Sequence, residues 1–163
     1  MVEVGLRLHP DKTKIVYCRD GRRRQRAEHT AFTFLGYTFR ARVARDKRGV
    51  NFTSFLPAIS KDALKAISAA VRGWRLHLHG TYSLDELARW LNPIVRGWMN
   101  YYGAFYRSAW YPLLKRINAY LVRWARKKYK RLRTFKKAKM WWQAVTTRAP
   151  LLFAHWQWVH AFW

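Results

Sequence analysis

The sequence predicts an α+β fold, a short antiparallel β region followed by a mainly α-helical region. Three features point to it. Residues 1–57 hold short runs rich in Thr, Phe, Tyr and Val, separated by polar turns. After Pro57 the apolar residues step by three and four, the period of a helix face. Half of the 163 residues are apolar, enough for a buried core despite a formal net charge of +25.

The first β-prone run is KIVY (Lys14–Tyr17), followed by the basic stretch CRDGRRRQRAEH. TAFTFLGYTFRARV (Thr30–Val43) is a second strand run, and a turn at Asp46–Gly49 leads into a third, VNFTSFL. Two or three antiparallel strands are expected, too few to be stable without a helical layer or a partner over one face. Ser60 is placed to cap a helix whose apolar stripe is Leu64, Ile67, Val71, Trp74 and Leu78, with Gly80 ending it. Ser83-Leu84-Asp85-Glu86 is a capping box opening the next helix, with Leu87, Trp90 and Leu91 inward. Asn92-Pro93 then predicts a break, Asn92 capping a new helix that carries Ile94, Trp98, Tyr101, Tyr102 and Phe105. A further helix is expected from about Pro112 to Lys130, with Leu113, Ile117, Tyr120, Leu121 and Trp124 on its apolar face. MWWQAV and LLFAHWQWVHAFW leave two readings open, packed helical segments or an exposed aromatic patch.

Thirty-three Lys and Arg face eight Asp and Glu, and the last acid is Glu86. Residues 87–163 hold 16 cations and no carboxylate. A folded chain tolerates such self-repulsion best when a polyanion neutralises it, so RNA, with DNA as an alternative, is the expected partner. No apolar run approaches the roughly 18 residues of a membrane span, so no membrane partner is expected. The N-terminus lacks the plan of a secretory signal and Cys18 is the single cysteine, which together predict a cytoplasmic protein.

Acid–base and metal-assisted chemistry usually draws on carboxylates. Asp85 and Glu86 are explained as first-turn residues favoured by the helix dipole. His77 and His79 fall on different faces, and His155 and His160 are five apart. No phosphate-binding glycine loop and no nucleophile–base set occurs. No catalytic residue, metal site or cofactor is therefore assigned.

The densest basic element runs from Arg123 to Lys139. It comprises Arg123, Arg126, Lys127 and Lys128, then Lys130, Arg131 and Arg133, then Lys136, Lys137 and Lys139. A solvated helix face is the plain alternative, but no acid is present to form i,i+4 pairs. Trp124, Tyr129, Phe135, Trp141 and Trp142 lie among these cations, a mixture suited to phosphate contact and base stacking. Arg96, Arg107, Lys115 and Arg116 extend the candidate RNA-binding set. For Arg22, Arg23 and Arg24, a loop that orders on RNA and a solvated insertion both stay open.

In order, GLRLHPDKTKIVYC (Gly5–Cys18), FTFLGYTF (Phe32–Phe39), LNPIVRGWMNYYGAF (Leu91–Phe105) and LFAHWQW (Leu152–Trp158) resemble blocks of the C-terminal part of group II intron-encoded proteins. These are reverse transcriptases and maturases of their own introns. The resemblance implies a palm remnant over 1–57, a maturase-specific thumb domain over 58–133 and a basic, aromatic extension over 134–163. It makes Phe34, Leu35 and Gly36 part of a primer-grip-like hairpin. It names group II intron RNA as partner and Lys12 as the match to a lysine near the polymerase triphosphate. The family's metal-binding aspartates would lie upstream of Met1, so the expectation is a truncated module that binds RNA without catalysing. Two alternatives stay open: a piece of a split reverse transcriptase completed by an upstream fragment, and a gene remnant without function.

Overall fold

Alternating Thr, Phe and Tyr extend the backbone from residue 31, yet the run folds back on itself at Leu35-Gly36 instead of continuing as one strand. In the computed structural model, which describes residues 9–10, 13–19 and 26–162, β1 (Ala31–Phe34) pairs antiparallel with β2 (Tyr37–Arg45). Phe32 faces Phe39 and Thr33 faces Thr38. Leu35 and Gly36 both have positive φ, 48° and 77°, as in the mirror-image two-residue turns whose twist matches that of the strands. Leucine in place of the usual Asn or Asp hides this turn from residue preference alone, although the family resemblance implied a hairpin at Phe34, Leu35 and Gly36.

Asp46 closes the next turn, its Oδ1 accepting the N–H groups of Arg48 and Val50 at 2.8 Å each. β3 (Asn51–Ile59) follows, and the sheet order is β1-β2-β3. The expected KIVY strand is not formed. Among the described residues, Tyr17 N–H donates to His29 O at 2.8 Å, and one such bond does not make a ladder.

The chain divides into two compact units, Met1–Pro57 and Ala58–Trp163. In the second, the Ser60 hydroxyl accepts the Ala63 N–H at 3.1 Å and opens α1 (Lys61–Gly73). This helix ends earlier than its apolar period suggests. Arg75 adopts a left-handed conformation, φ 46°, which turns Leu76 into the core and leaves Leu78 59% exposed. Gly80 therefore does not end the helix.

The capping box opens α2 (Leu84–Tyr102) as expected. Ser83 N–H donates to Glu86 at 2.6 Å and Glu86 N–H to the Ser83 hydroxyl at 3.2 Å. The backbone N–H and then the hydroxyl of Ser83 hold the Glu86 carboxyl below the usual carboxylate range. The expected break at Asn92-Pro93 does not occur, and α2 runs through Pro93. Proline in a helix interior costs about 3 kcal/mol. Burial of one continuous stripe, Leu87, Leu91, Val95 and Met99, on both sides of Pro93 offsets it. The stripe is centred on Val95 and Met99, so Tyr101 is about half exposed, and Phe105, equally exposed, lies past the end of the helix expected to carry it. Asn92 caps nothing. Its amide donates to Leu152 O at 2.9 Å and accepts Ala154 N–H at 2.8 Å.

α3 (Tyr111–Lys128) buries Leu113, Ile117, Leu121 and Trp124, the expected face. α4 (Phe135–Arg148), capped by Thr134, and a short 3₁₀ turn at Ala154–Gln157 complete the unit. The last aromatic segment joins the same core as the earlier helices: Trp142, Phe153 and Trp156 are at most 1% exposed, and the Trp142 and Trp156 rings meet edge to face at 5.1 Å. Asn118, fully buried on α3, organises it. Its Nδ2 donates to Val159 O at 3.1 Å and Ala161 O at 2.9 Å, while its Oδ1 accepts from Trp156 Nε1 at 2.9 Å. The same oxygen lies 2.7 Å from His155 Nε2. An amide oxygen can only accept, so Nε2 carries a proton. Burial, with a smaller contribution from His160, pushes its pKa down to about 3. Trp158 packs against Gly103 so closely that a Cβ there would overlap the indole ring.

Candidate nucleic-acid interface

Because α3 buries residues 113, 114, 117, 118, 121, 122, 124 and 125, its opposite side is left to solvent. That side carries Lys115, Arg116, Arg123, Arg126 and Lys127, all exposed. Arg116, Arg123 and Lys127 are spaced by seven and four and lie along one stripe. The Arg123 guanidinium sits 5.6 Å from the Tyr120 ring centre. Arg126 donates through Nε at 3.1 Å and Nη2 at 2.7 Å to Arg133 O, which ties the end of α3 to the segment entering α4.

The cations continue beyond α3. Lys130, Arg131 and Arg133 are exposed, with Arg131 5.9 Å from the Tyr129 ring centre. Lys136 and Lys137 are exposed in the first turn of α4, and Lys139 is half-buried. Lys128 differs from its neighbours. Its half-buried ammonium donates to Tyr82 O and, at 3.4 Å, to Thr81 O, and lies 5.4 Å from the Trp124 ring centre. It braces the loop before α2 instead of standing free. Arg96 is exposed on α2. Arg107 is exposed, donates to Gly103 O at 3.3 Å and lies 5.0 Å from the Trp158 ring centre. Arg22, Arg23, Arg24 and Lys12 lie outside the described residues.

The aromatics expected to stack bases separate into two groups. Trp124 and Trp142 are each 1% exposed and belong to the core, so they are excluded from that role. Their interleaving with lysine and arginine reflects the helical period, which brings an inward residue every three or four positions. Tyr129 and Trp141 are half-buried and Phe135 is exposed. In the other unit Phe34 and Leu35 are exposed and Gly36 forms the hairpin turn. The sequence reading passed over Lys61, Lys65 and Arg72, exposed on α1 at spacings of four and seven.

Among the described residues no group of three or more His, Cys, Asp or Glu is placed to hold a metal ion, and no helix is long and apolar enough to cross a membrane. Comparison with curated proteins and with solved structures gave no match. The family described as "Group II intron, maturase-specific domain" matches residues 64–142, from within α1 to within α4. That span contains the exposed cations of α3 and the sequence that links it to α4. Over those 79 of its 163 residues the chain is thus similar to the group II intron maturase-specific domain, consistent with the C-terminal maturase region of a group II intron protein.

Proposed function

We propose that this chain is an RNA-binding maturase module: it holds group II intron RNA in its active fold and so assists splicing, while making and breaking no bonds itself. The carrying observation is the exposed cation stripe of α3 and its continuation into α4, inside the matched domain and in a stretch with no carboxylate. The first turn of α4 strengthens the reading. Lys136 and Lys137 sit where the helix dipole disfavours cations, and an anion bound there relieves both. Phosphate contacts position an RNA without reading its sequence, so discrimination falls to RNA shape and to unpaired bases.

Titration of the chain with structured intron RNA at several salt concentrations tests this. Contact with six to ten phosphates gives a log-log slope of roughly −4 to −9, from about 0.7 per phosphate in unpaired stretches to about 0.9 in paired ones. An affinity indifferent to salt, or equal for intron RNA and heparin, refutes specific binding.

A second reading rests on the first unit. Phe32, Phe34 and Val43, on one face of the hairpin, are 42%, 61% and 58% exposed, and an apolar face of this kind is typical of an interaction surface. In this reading a separate fingers–palm fragment of a reverse transcriptase covers it. Co-expression then yields primer extension beyond that of the fragment alone; no gain leaves binding as the sole function.

A further inference from the structure

We infer that the aromatic row Trp98–Trp74–Trp90–His79–Tyr82 is a second RNA contact, one that takes unpaired bases by stacking while the cation stripe takes phosphates. The inference rests on the RNA-binding reading and adds a place and a ligand chemistry to it.

The row is built from three pieces of chain. Trp90 and Trp98 are eight residues apart on α2, close to one face. Trp74 follows the end of α1, and His79 and Tyr82 belong to the loop between the two helices. Trp74 stacks on Trp98 with centroids 5.7 Å apart and planes 12° from parallel, and lies 6.4 Å from Trp90. His79 meets Trp90 at 5.2 Å and Tyr82 at 5.1 Å, and Tyr82 meets Trp90 edge-on at 6.4 Å. Five rings thus touch in succession and none is fully buried; Tyr82, at the end, is 39% exposed.

The loop presenting Tyr82 is held from behind. Trp124 Nε1 donates to His79 O at 2.8 Å, Lys128 donates to Thr81 O and Tyr82 O, and the capping box fixes Ser83. An exposed tyrosine on an anchored loop offers its face with little further entropy to lose, which favours binding. Charge complementarity selects the occupant. Arg72, Arg75 and Arg89, each one or two residues along the chain from Trp74 or Trp90, are exposed and suited to the backbone of a strand whose bases lie on the rings. Of the nearby carboxylates, Glu86 is turned back onto Ser83, while exposed Asp85 repels a phosphate but not a base. Trp124 and Trp142, the stacking residues that the basic stretch itself suggests, are withdrawn into the core.

The test uses the full chain and two probes of equal length, a single-stranded RNA of about ten nucleotides carrying 2-aminopurine, and an RNA duplex. Tyr82→Ala is expected to weaken single-strand binding about five- to a hundredfold and to reduce 2-aminopurine quenching, with duplex affinity unchanged. Tyr82→Phe, which keeps the ring, retains both. Unchanged single-strand affinity and quenching in Tyr82→Ala, or an equal loss for duplex, overturns the proposal and leaves the row as a cover for the core. Wild-type chain that binds duplex but not single strand overturns the stacking site alone. A chain that binds neither overturns it together with the RNA-binding reading.

Discussion

Asn118→Leu is expected to destabilise residues 58–163 by about 4 kcal/mol, near 2 kcal/mol for each of two buried donors left without an acceptor. Those donors are Trp156 Nε1 and His155 Nε2, which share the Asn118 oxygen at 2.9 and 2.7 Å. The same substitution strips Val159 O and Ala161 O of their side-chain donor. Leucine fills the volume but satisfies none of the four, and an incomplete polar network in a low-dielectric core is worse than an apolar one. Urea unfolding followed by tryptophan fluorescence measures the effect cleanly, because all ten tryptophans lie after residue 58. A loss under about 1 kcal/mol shows that ring packing alone holds the C-terminal segment in place.

The triple reversal Arg116→Glu, Arg123→Glu and Lys127→Glu acts on binding instead. It lowers the formal charge from +25 to +19, two units for each of three residues. Because all three side chains are exposed, stability should stay within about 0.5 kcal/mol of the parent. Affinity for intron RNA should fall about a hundredfold at moderate salt, on the order of 1 kcal/mol for each lost phosphate contact. The log-log salt slope should become shallower by about 2. The control is a reversal of equal charge away from both proposed contacts, at Lys61, Lys65 and Arg148, all exposed. A small effect of the control marks the α3 stripe as the binding face. Equal losses from both would show that bulk charge, not this surface, binds the RNA.

Local signals were read well where the interaction they describe is local. The Ser83–Glu86 box joins residues three apart, and the apolar face of α3 repeats within a single helix. Local reading failed where a distant contact overrode a nearby preference. Asn92-Pro93 looks like the start of a helix, but the Asn92 side chain is spent on Leu152 and Ala154, 60 and 62 residues away. The period of α1 extends to Leu78, yet Arg75 reverses the backbone so that Leu76 takes the buried place. In the interface, the exposed cations of α3 follow from the phase of its apolar stripe. The fate of the tryptophans does not, since a ring beside a lysine can point either way.

By itself the sequence determined a β-then-α order, an acid-free polycationic second half and the resemblance that its motifs carry. Each depends on residue identity or on neighbours within one or two turns, where backbone geometry alone fixes which side chains share a face. The tertiary structure decided that the last aromatic segment enters the core, and which rings are left at the surface. Its anchors, Asn92 and Asn118, find their partners 37 to 62 residues along the chain. Nothing in a helical period specifies a partner at that distance; a buried amide is satisfied only when the whole unit has packed around it.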